Sequence, residues 1–457
     1  MINLRTTFGV TVLIAFSWDF LGTAGSTIFA QPGAAYEWPE QRGTITPEIT
    51  PEMVKPHVVK LADDSLEGRC AGYRGEQKAA SYIADEFKKI GLKPVVNSTR
   101  GRASYIQEFT FYPWNPVVPF EVLTSRNVVG FIEGKDPILK SEVVVVGAHY
   151  DGQGRVGQAD PLRLGVEEAK SANDEIWNSA NDNAASVAAI LEIARAISSR
   201  KIVTKRSILF IAFGAEEHGM AGSIYYVSHP VFPLANHVAM INLEKLGHSP
   251  DQPFSINASA SSPAWANVIQ TAREQTKTEI KPNIPFNVPD SDHYPFNVSG
   301  VPSVMLYVSA TPAHFASDTS DRIDFRRVAE AARFAMAMLL DLSTRANRPE
   351  YATSPIPDLG LIASLVKAAE ADARGLSTPQ GGLKVTGVIP ALPAAISGLQ
   401  PGDFIIEFAN HKFRRDDEVA ALMAMYREVL EGKRGNILPL KIIRGKERLD
   451  LTVTLRP

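Results

Sequence analysis

The chain alternates continuous apolar runs with segments whose apolar residues recur at helical spacing. Residues 143–146, 208–213, 238–243 and 303–308 are runs of β-branched, aliphatic and aromatic residues, the pattern of strands covered on both faces. Helical segments lie before, between and after them, at 51–62, 75–90, 220–228, 263–278 and 328–342, with a further helix opening at Asn181-Asp-Asn183. In 75–90 the stripe is Ala79, Ala80, Ile83, Phe87 and Ile90, and Gly91 stops it. Shorter strand-like segments fall at 106–111 and 127–132. This alternation predicts an α/β domain with a mostly parallel central sheet flanked by helices. Two stretches lack periodicity and read as loops, 153–179 and 289–295; a loop as long as the first is usually functional or mobile.

The pattern changes after residue 345. Residues 346–359 are rich in proline and poor in apolar residues, and read as a linker. Strands are expected at 382–388, 404–408, 438–444 and 448–455, with one main helix at 416–430, which together make a small β-barrel domain over 360–457. At the other end, Arg5 precedes an apolar stretch, 8–20, and then small residues up to Ala30. That stretch is short for a membrane span and Asp19 interrupts it. It reads as an export signal over 1–30 with cleavage near Ala30, so the mature chain, its main domain at 31–345, is expected to be periplasmic or secreted with no stable membrane span.

Composition narrows the classes. The 457 residues include 45% hydrophobic and 21% charged residues with a net charge of −3. No basic block exists to neutralise phosphates, which argues against a nucleic-acid partner. Cys70 is the single cysteine, so no disulfide can form within the chain.

The candidate chemistry lies just beyond the strands. The run 208–213 ends at Gly214, and Glu216 and Glu217 follow side by side with no basic neighbour. Adjacent carboxylates at the end of a buried strand repel each other unless a cation sits between them. His149 and Asp151 follow the run 143–146, Glu244 follows 238–243, and His314 follows 303–308. Carboxyl ends of strands are where α/β sheets place their ligands. Two histidines and several carboxylates without sulfur suit zinc, and also manganese or cobalt. More carboxylates than one tetrahedral ion needs point to two ions sharing a bridge. Only one of the adjacent glutamates can easily ligate, which leaves the other free to act as a base.

These residues resemble the secreted co-catalytic zinc aminopeptidases, related to glutamate carboxypeptidase and glutaminyl cyclase. The resemblance covers about residues 55–340. It is carried by Leu66-Glu-Gly-Arg69, Gly147-Ala-His-Tyr-Asp151, Asn178-Ser-Ala-Asn-Asp-Asn183, Phe213-Gly-Ala-Glu-Glu217, Ile241-Asn-Leu-Glu244, Ser291-Asp-His-Tyr-Pro-Phe296 and His314-Phe-Ala-Ser-Asp-Thr319, in that order. It implies two zinc ions. His149 and Glu244 would hold the first, Glu217 and His314 the second, and Asp182 would bridge them through a residue whose following peptide is commonly cis. Asp151 would orient His149, and Asp318 would support His314. Glu216 would be the general base, taking the proton of a water shared by the ions so that the hydroxide attacks the scissile carbonyl. His293 would be a substrate-side or structural residue, not a metal ligand, and Tyr294 would lie on the substrate side. The family usually has aspartate where this chain has Glu244, one methylene longer, which the strand end must accommodate. Gly398-Leu-Gln-Pro-Gly-Asp403 with Ile405-Ile406 resembles a PDZ domain, which would take a peptide or protein ligand by strand addition or act as a spacer. The implied activity is removal of N-terminal residues from peptide substrates. A carboxypeptidase, a glutaminyl cyclase or a non-catalytic peptide-binding protein are the alternatives.

Overall fold

The structure is a computed structural model, and it describes residues 49–97, 102–113, 122–155, 158, 174–248, 251–281, 290–308, 314–352, 358–366, 381–413, 435–455 and part of 421–432. The expected export signal lies outside these residues, as do most of the expected loop 153–179 and most of the helix expected at 416–430.

Eight strands form the main sheet: β1 (Lys93–Pro94), β2 (Ile106–Phe111), β3 (Leu123–Ile132), β4 (Val143–His149), β5 (Ser207–Phe213), β6 (His237–Glu244), β7 (Ser255–Asn257) and β8 (Ser303–Tyr307). Their order is β1-β3-β5-β4-β6-β8-β7, with β2 paired to β3. The central strands β5, β4, β6 and β8 run parallel. Strands β1, β2, β3 and β7 pair antiparallel at the two sides. The sheet is therefore mixed, and the mostly parallel arrangement expected from the apolar runs holds only for its centre. The alternating burial of β2 marks it as a strand covered on one face, unlike the wholly buried β4, β5 and β6.

Period-two alternation divides the core. Val144 and Val146 of β4 face one large apolar cluster, while Val143 and Val145 face another. Helices α1 (Pro51–Leu61), α2 (Arg74–Ile90), α3 (Ala185–Ser199), α5 (Ala264–Thr276) and α7 (Phe325–Thr344) cover the first face. Helices α4 (Ala221–Ser228) and α6 (His293–Val298) cover the second. The loop expected at 289–295 is in fact partly α6, a six-residue helix buried along its whole length. No helix among the described residues is long and apolar enough to cross a membrane.

A second, six-stranded antiparallel sheet follows: β9 (Leu361–Val366), β10 (Gly382–Val388), β11 (Phe404–Phe408), β12 (His411–Lys412), β13 (Ile437–Arg444) and β14 (Glu447–Thr454). It encloses its own apolar core. The sequence pattern missed β9, which forms one edge of this sheet. The proline-rich stretch before it is anchored at Arg348, whose guanidinium donates to the carbonyls of Ala235 and His237.

Candidate metal centre

The four parallel strands bring their carboxyl ends to one rim. In the register of β4 and β5, His149 stands opposite Phe213, so the turn carrying the glutamate pair begins beside it. His149 is itself the last residue of β4, not a residue beyond it, and Glu244 is the last residue of β6. The pairing of Asn242 with Gly147, continued two residues, puts Glu244 level with His149. Ala215 adopts a left-handed conformation (φ 57°), which turns the chain off β5 into the short helical turn Glu216–His218. His314 lies beyond β8 and is also left-handed (φ 65°).

Two trios of ligand-type side chains converge here, each with its donor atoms within 4.8 Å of one another. One is His149, Asp182 and Glu244; the other is Asp182, Glu217 and His314. Asp182 belongs to both, with Oδ1 3.2 Å from His149 Nε2 and Oδ2 3.4 Å from His314 Nε2. Glu244 Oε1 lies 3.4 Å from His149 Nε2, and Glu217 Oε2 lies 3.1 Å from His314 Nε2. Glu216 is in neither trio, although its Oε2 is 3.8 Å from His149 Nε2. All five residues expected as ligands thus meet, with the expected base beside them.

Each of these groups is braced. The Asp151 carboxylate accepts the backbone N–H groups of Glu216 (3.0 Å) and Glu217 (3.2 Å). His149 Nδ1 faces the Asp151 carbonyl oxygen at 3.2 Å and the Asp151 carboxylate at 3.6 Å, so the one residue orients the histidine and holds the glutamate pair. The Asp182–Asn183 peptide is cis, as the resemblance implies. Asp318 accepts the N–H groups of Asn181 (2.8 Å) and Asp182 (3.0 Å). Its oxygen also faces His248 at 3.6 Å. The resemblance implies support for His314, but the hydrogen bonds Asp318 makes among the described residues go to the backbone of Asn181 and Asp182, the latter common to both trios.

Glu244 solves its extra methylene with donors on one oxygen. Ser291 Oγ (2.8 Å) and Asn183 Nδ2 (3.1 Å) both donate to Oε2, which leaves Oε1 toward His149. Asn242 Nδ2 in turn donates to Ser291 Oγ at 2.8 Å. Lys245 Nζ sits 3.3 Å from Glu244 Oε1. Beneath the rim, the buried Arg69 guanidinium donates to the carbonyls of Leu61, Tyr150, Asn178 and Ser179, tying the strand β4 exit to the segment that leads to Asp182. Sequence reasoning did not assign these roles to Ser291, Asn183, Asn242, Lys245 or Arg69. Arg69, Asn183, Asn242 and Ser291 had a signal, since they stand inside the motifs quoted for the resemblance; Lys245 had none.

The two residues expected on the substrate side are placed otherwise. His293 is fully buried, and burial pushes its imidazole down to about 3. Tyr294 is 6% exposed and donates its hydroxyl to Asp358, just before β9, at 2.5 Å. Both sit on the buried helix α6, and Tyr294 packs in one apolar cluster with Ile362, Ile389 and Leu392 of the C-terminal unit.

Electrostatics fit a cation. Burial pushes the Glu216 carboxyl well above its ordinary range; His149 opposes this, and the charges of Glu244 and Glu217 add to it. Burial works against a charge on His149, yet Glu244, Glu216, Asp151 and Asp182 together hold it well above its ordinary value. Among the described residues, none donates a hydrogen bond to the buried Asp182 Oδ2 or Glu217 Oε1. Buried carboxylate oxygens without a donor are costly unless a cation meets them. With imidazole and carboxylate donors and no thiolate, the two trios fit zinc-type ions.

Residues 127–339 match the profile of Peptidase family M28. The chain is 26% identical over 240 residues to aminopeptidase YwaD of Bacillus subtilis, a match spanning 50% of this chain and 47% of that protein. It is 25% identical over 250 residues to a probable zinc metalloprotease of Pyrenophora teres f. teres, across 53% of this chain and 47% of the relative. The matches thus span about half the length of these curated relatives. The solved Legionella pneumophila LapA aminopeptidase shares the fold at 18% identity, with a TM-score of 0.51 over 69% of this chain and 79% of that one. All five residues of the two trios lie inside residues 127–339, the segment that is similar to peptidase family M28.

Proposed function

We propose that the chain is a zinc-dependent exopeptidase that removes N-terminal residues from peptides, with Glu216 as general base. The observation that carries this reading is a pair of trios joined through Asp182, with Glu216 beside them and in neither. His149, Asp182 and Glu244 would hold one zinc ion, and Asp182, Glu217 and His314 the other. When bound, such ions polarise the scissile carbonyl and acidify a water.

The residues of the chain do the remaining work. Glu216 takes a proton from the attacking water and passes it to the leaving amine. Its raised affinity for a proton suits both steps, because a base must be strong enough to accept and weak enough to return. The Asp151 carboxylate holds the Glu216 and Glu217 amides and so fixes which glutamate faces which partner. The relatives named aminopeptidase and zinc metalloprotease support the same reading. The amino-terminal charge and apolar stretch support export with cleavage near Ala30, which the amino-terminal sequence of the mature protein checks. The C-terminal sheet supports a PDZ-type module in which the outer edge of β9 takes an extended peptide or protein ligand.

The test is hydrolysis of aminoacyl anilides with free and acetylated amino termini, with and without zinc. Cleavage restricted to free amines and dependent on zinc is the expected result. Cleavage of acetylated substrates or of C-terminal residues, or cyclisation of N-terminal glutamine in its place, overturns the aminopeptidase reading.

A further inference from the structure

The C-terminal sheet is packed against the two elements that lead into the rim. Ile362 of β9, with Ile389 and Leu392, forms one apolar cluster with Ile224 of α4 and with Tyr294 and Val298 of α6. These side chains are at most 8% exposed. Helix α4 continues directly from the glutamate turn, where the Met220 amide donates to the Glu216 carbonyl at 2.8 Å. Helix α6 continues from Asp290-Ser-Asp292, which carries the brace on Glu244. The contact is reinforced away from the seam, where Lys384 Nζ donates to the carbonyl of Pro113 at 3.1 Å.

A hydrogen-bonded chain runs from this sheet to the rim. Tyr294 Oη donates to Asp358 Oδ1 at 2.5 Å, and the same oxygen accepts the Gly360 amide at 2.8 Å, which ties it to the start of β9. The Tyr294 amide donates to the Ser291 carbonyl at 3.0 Å. Ser291 Oγ then donates to Glu244 Oε2 at 2.8 Å. Every residue between Ser291 and Val298 is buried, so this segment has packed neighbours on all sides and little room to shift alone.

From this geometry we infer that Tyr294 is a positioning residue through which the C-terminal sheet sets the placement of the Glu244 carboxylate, making that sheet part of the metal centre's support. The inference rests on the proposed reading of Glu244 as a zinc ligand. Holding Oε2 fixes the direction of Oε1, and groups that orient a ligand in this way are worth about 10–100-fold in metal affinity. The chain of bonds has a direct consequence: whatever seats or unseats the C-terminal sheet also changes the first trio, while among the described residues the second trio, Asp182, Glu217 and His314, is linked to that sheet through the shared Asp182 and the α4 turn.

The test is titration of the metal-free full-length chain with zinc, comparing the wild type with Tyr294→Phe, Asp358→Ala, Asp358→Asn and the double variant Tyr294→Phe/Asp358→Ala. The titration reads affinity without needing turnover. Tyr294→Phe and Asp358→Ala are each expected to weaken one of two zinc-binding steps by about ten-fold, the lower end of such effects. The double variant should lose no more than Asp358→Ala alone, because the bond that Tyr294→Phe removes is already gone in Asp358→Ala. Asp358→Asn should bind as the wild type does, since its carboxamide oxygen accepts the same hydroxyl and amide. The melting temperature of the metal-free variants should move little. Unchanged affinities in both single variants, fully additive losses, or failure of Asp358→Asn to rescue would overturn the inference. A wild type that takes up no zinc would instead refute the metal reading on which it stands.

Discussion

The two trios at the rim share a residue but differ in how they are held. His149, Asp182 and Glu244 are all buried, and Glu244 has one oxygen fixed by two donors. In the other trio the His314 side chain is 29% exposed, and Glu217 takes a donor from the Gln153 side chain while one of its oxygens stays without one. The first is built from the ends of two adjacent parallel strands, so sheet hydrogen bonding sets its spacing before any metal arrives. The second draws on a turn and on a residue past β8.

The sharpest way to break this picture is at the residue outside both trios. Glu216→Gln should lower turnover by at least about 10²-fold and leave zinc content unchanged, since general bases contribute roughly 10²–10⁴-fold. Steady-state kinetics with elemental analysis of the same sample checks both halves. Glu244→Asp draws the carboxylate back from Ser291 and Asn183 by one methylene, and misplacement by about 1 Å costs on the order of 10²-fold in rate. The expected loss in kcat is of that order, with the first zinc retained less tightly. Stepwise chelation should remove one zinc ion first, and His314→Ala should abolish that early phase, because the more exposed trio is the one that opens to solvent. Ser291→Ala should weaken a single zinc-binding step by about ten-fold without changing the other.

The smallest effect concerns the far end of β6, the strand that carries Glu244. His237 is buried at that end, its Nε2 2.9 Å from Tyr226 Oη, and burial lowers its imidazole to about 4. An unfolded histidine binds its proton at about 6.5. The folded protein therefore takes up fewer protons than the unfolded chain between those values, and stability falls as pH drops through that window. His237→Gln should flatten the difference in metal-free melting temperature between about pH 6.5 and pH 4. It should leave zinc binding alone, which separates a strand-wide disturbance from one confined to the rim.

Much of this rim was legible in the chain. Ligand types directly after apolar runs marked His149, Glu216, Glu217, Glu244 and His314, because four parallel strands put their carboxyl ends on one edge. What bound these residues together was not. Ser291 reaches Glu244 across 47 positions and Asp318 reaches Asp182 across 136, and such partners leave no periodic signal in the sequence. Helix α6 read as a loop because Asp290-Ser-Asp292 and Pro295 are turn residues, and only its burial between β8 and the C-terminal sheet makes six residues helical. Strand β9 was missed for a related reason: Leu361-Ile-Ala-Ser-Leu-Val366 suits helix or strand, and pairing with β10 decides it. The mostly parallel sheet was overstated because continuous apolar runs mark buried strands, not their direction.

The most direct measurement is anomalous scattering at the zinc edge from crystals of the zinc-loaded chain. The account predicts two peaks about 3.5–4 Å apart, one within reach of His149 and Glu244, the other of Glu217 and His314, with Asp182 between them and Glu216 contacting neither. A single peak, or a peak bound by Glu216, would contradict it.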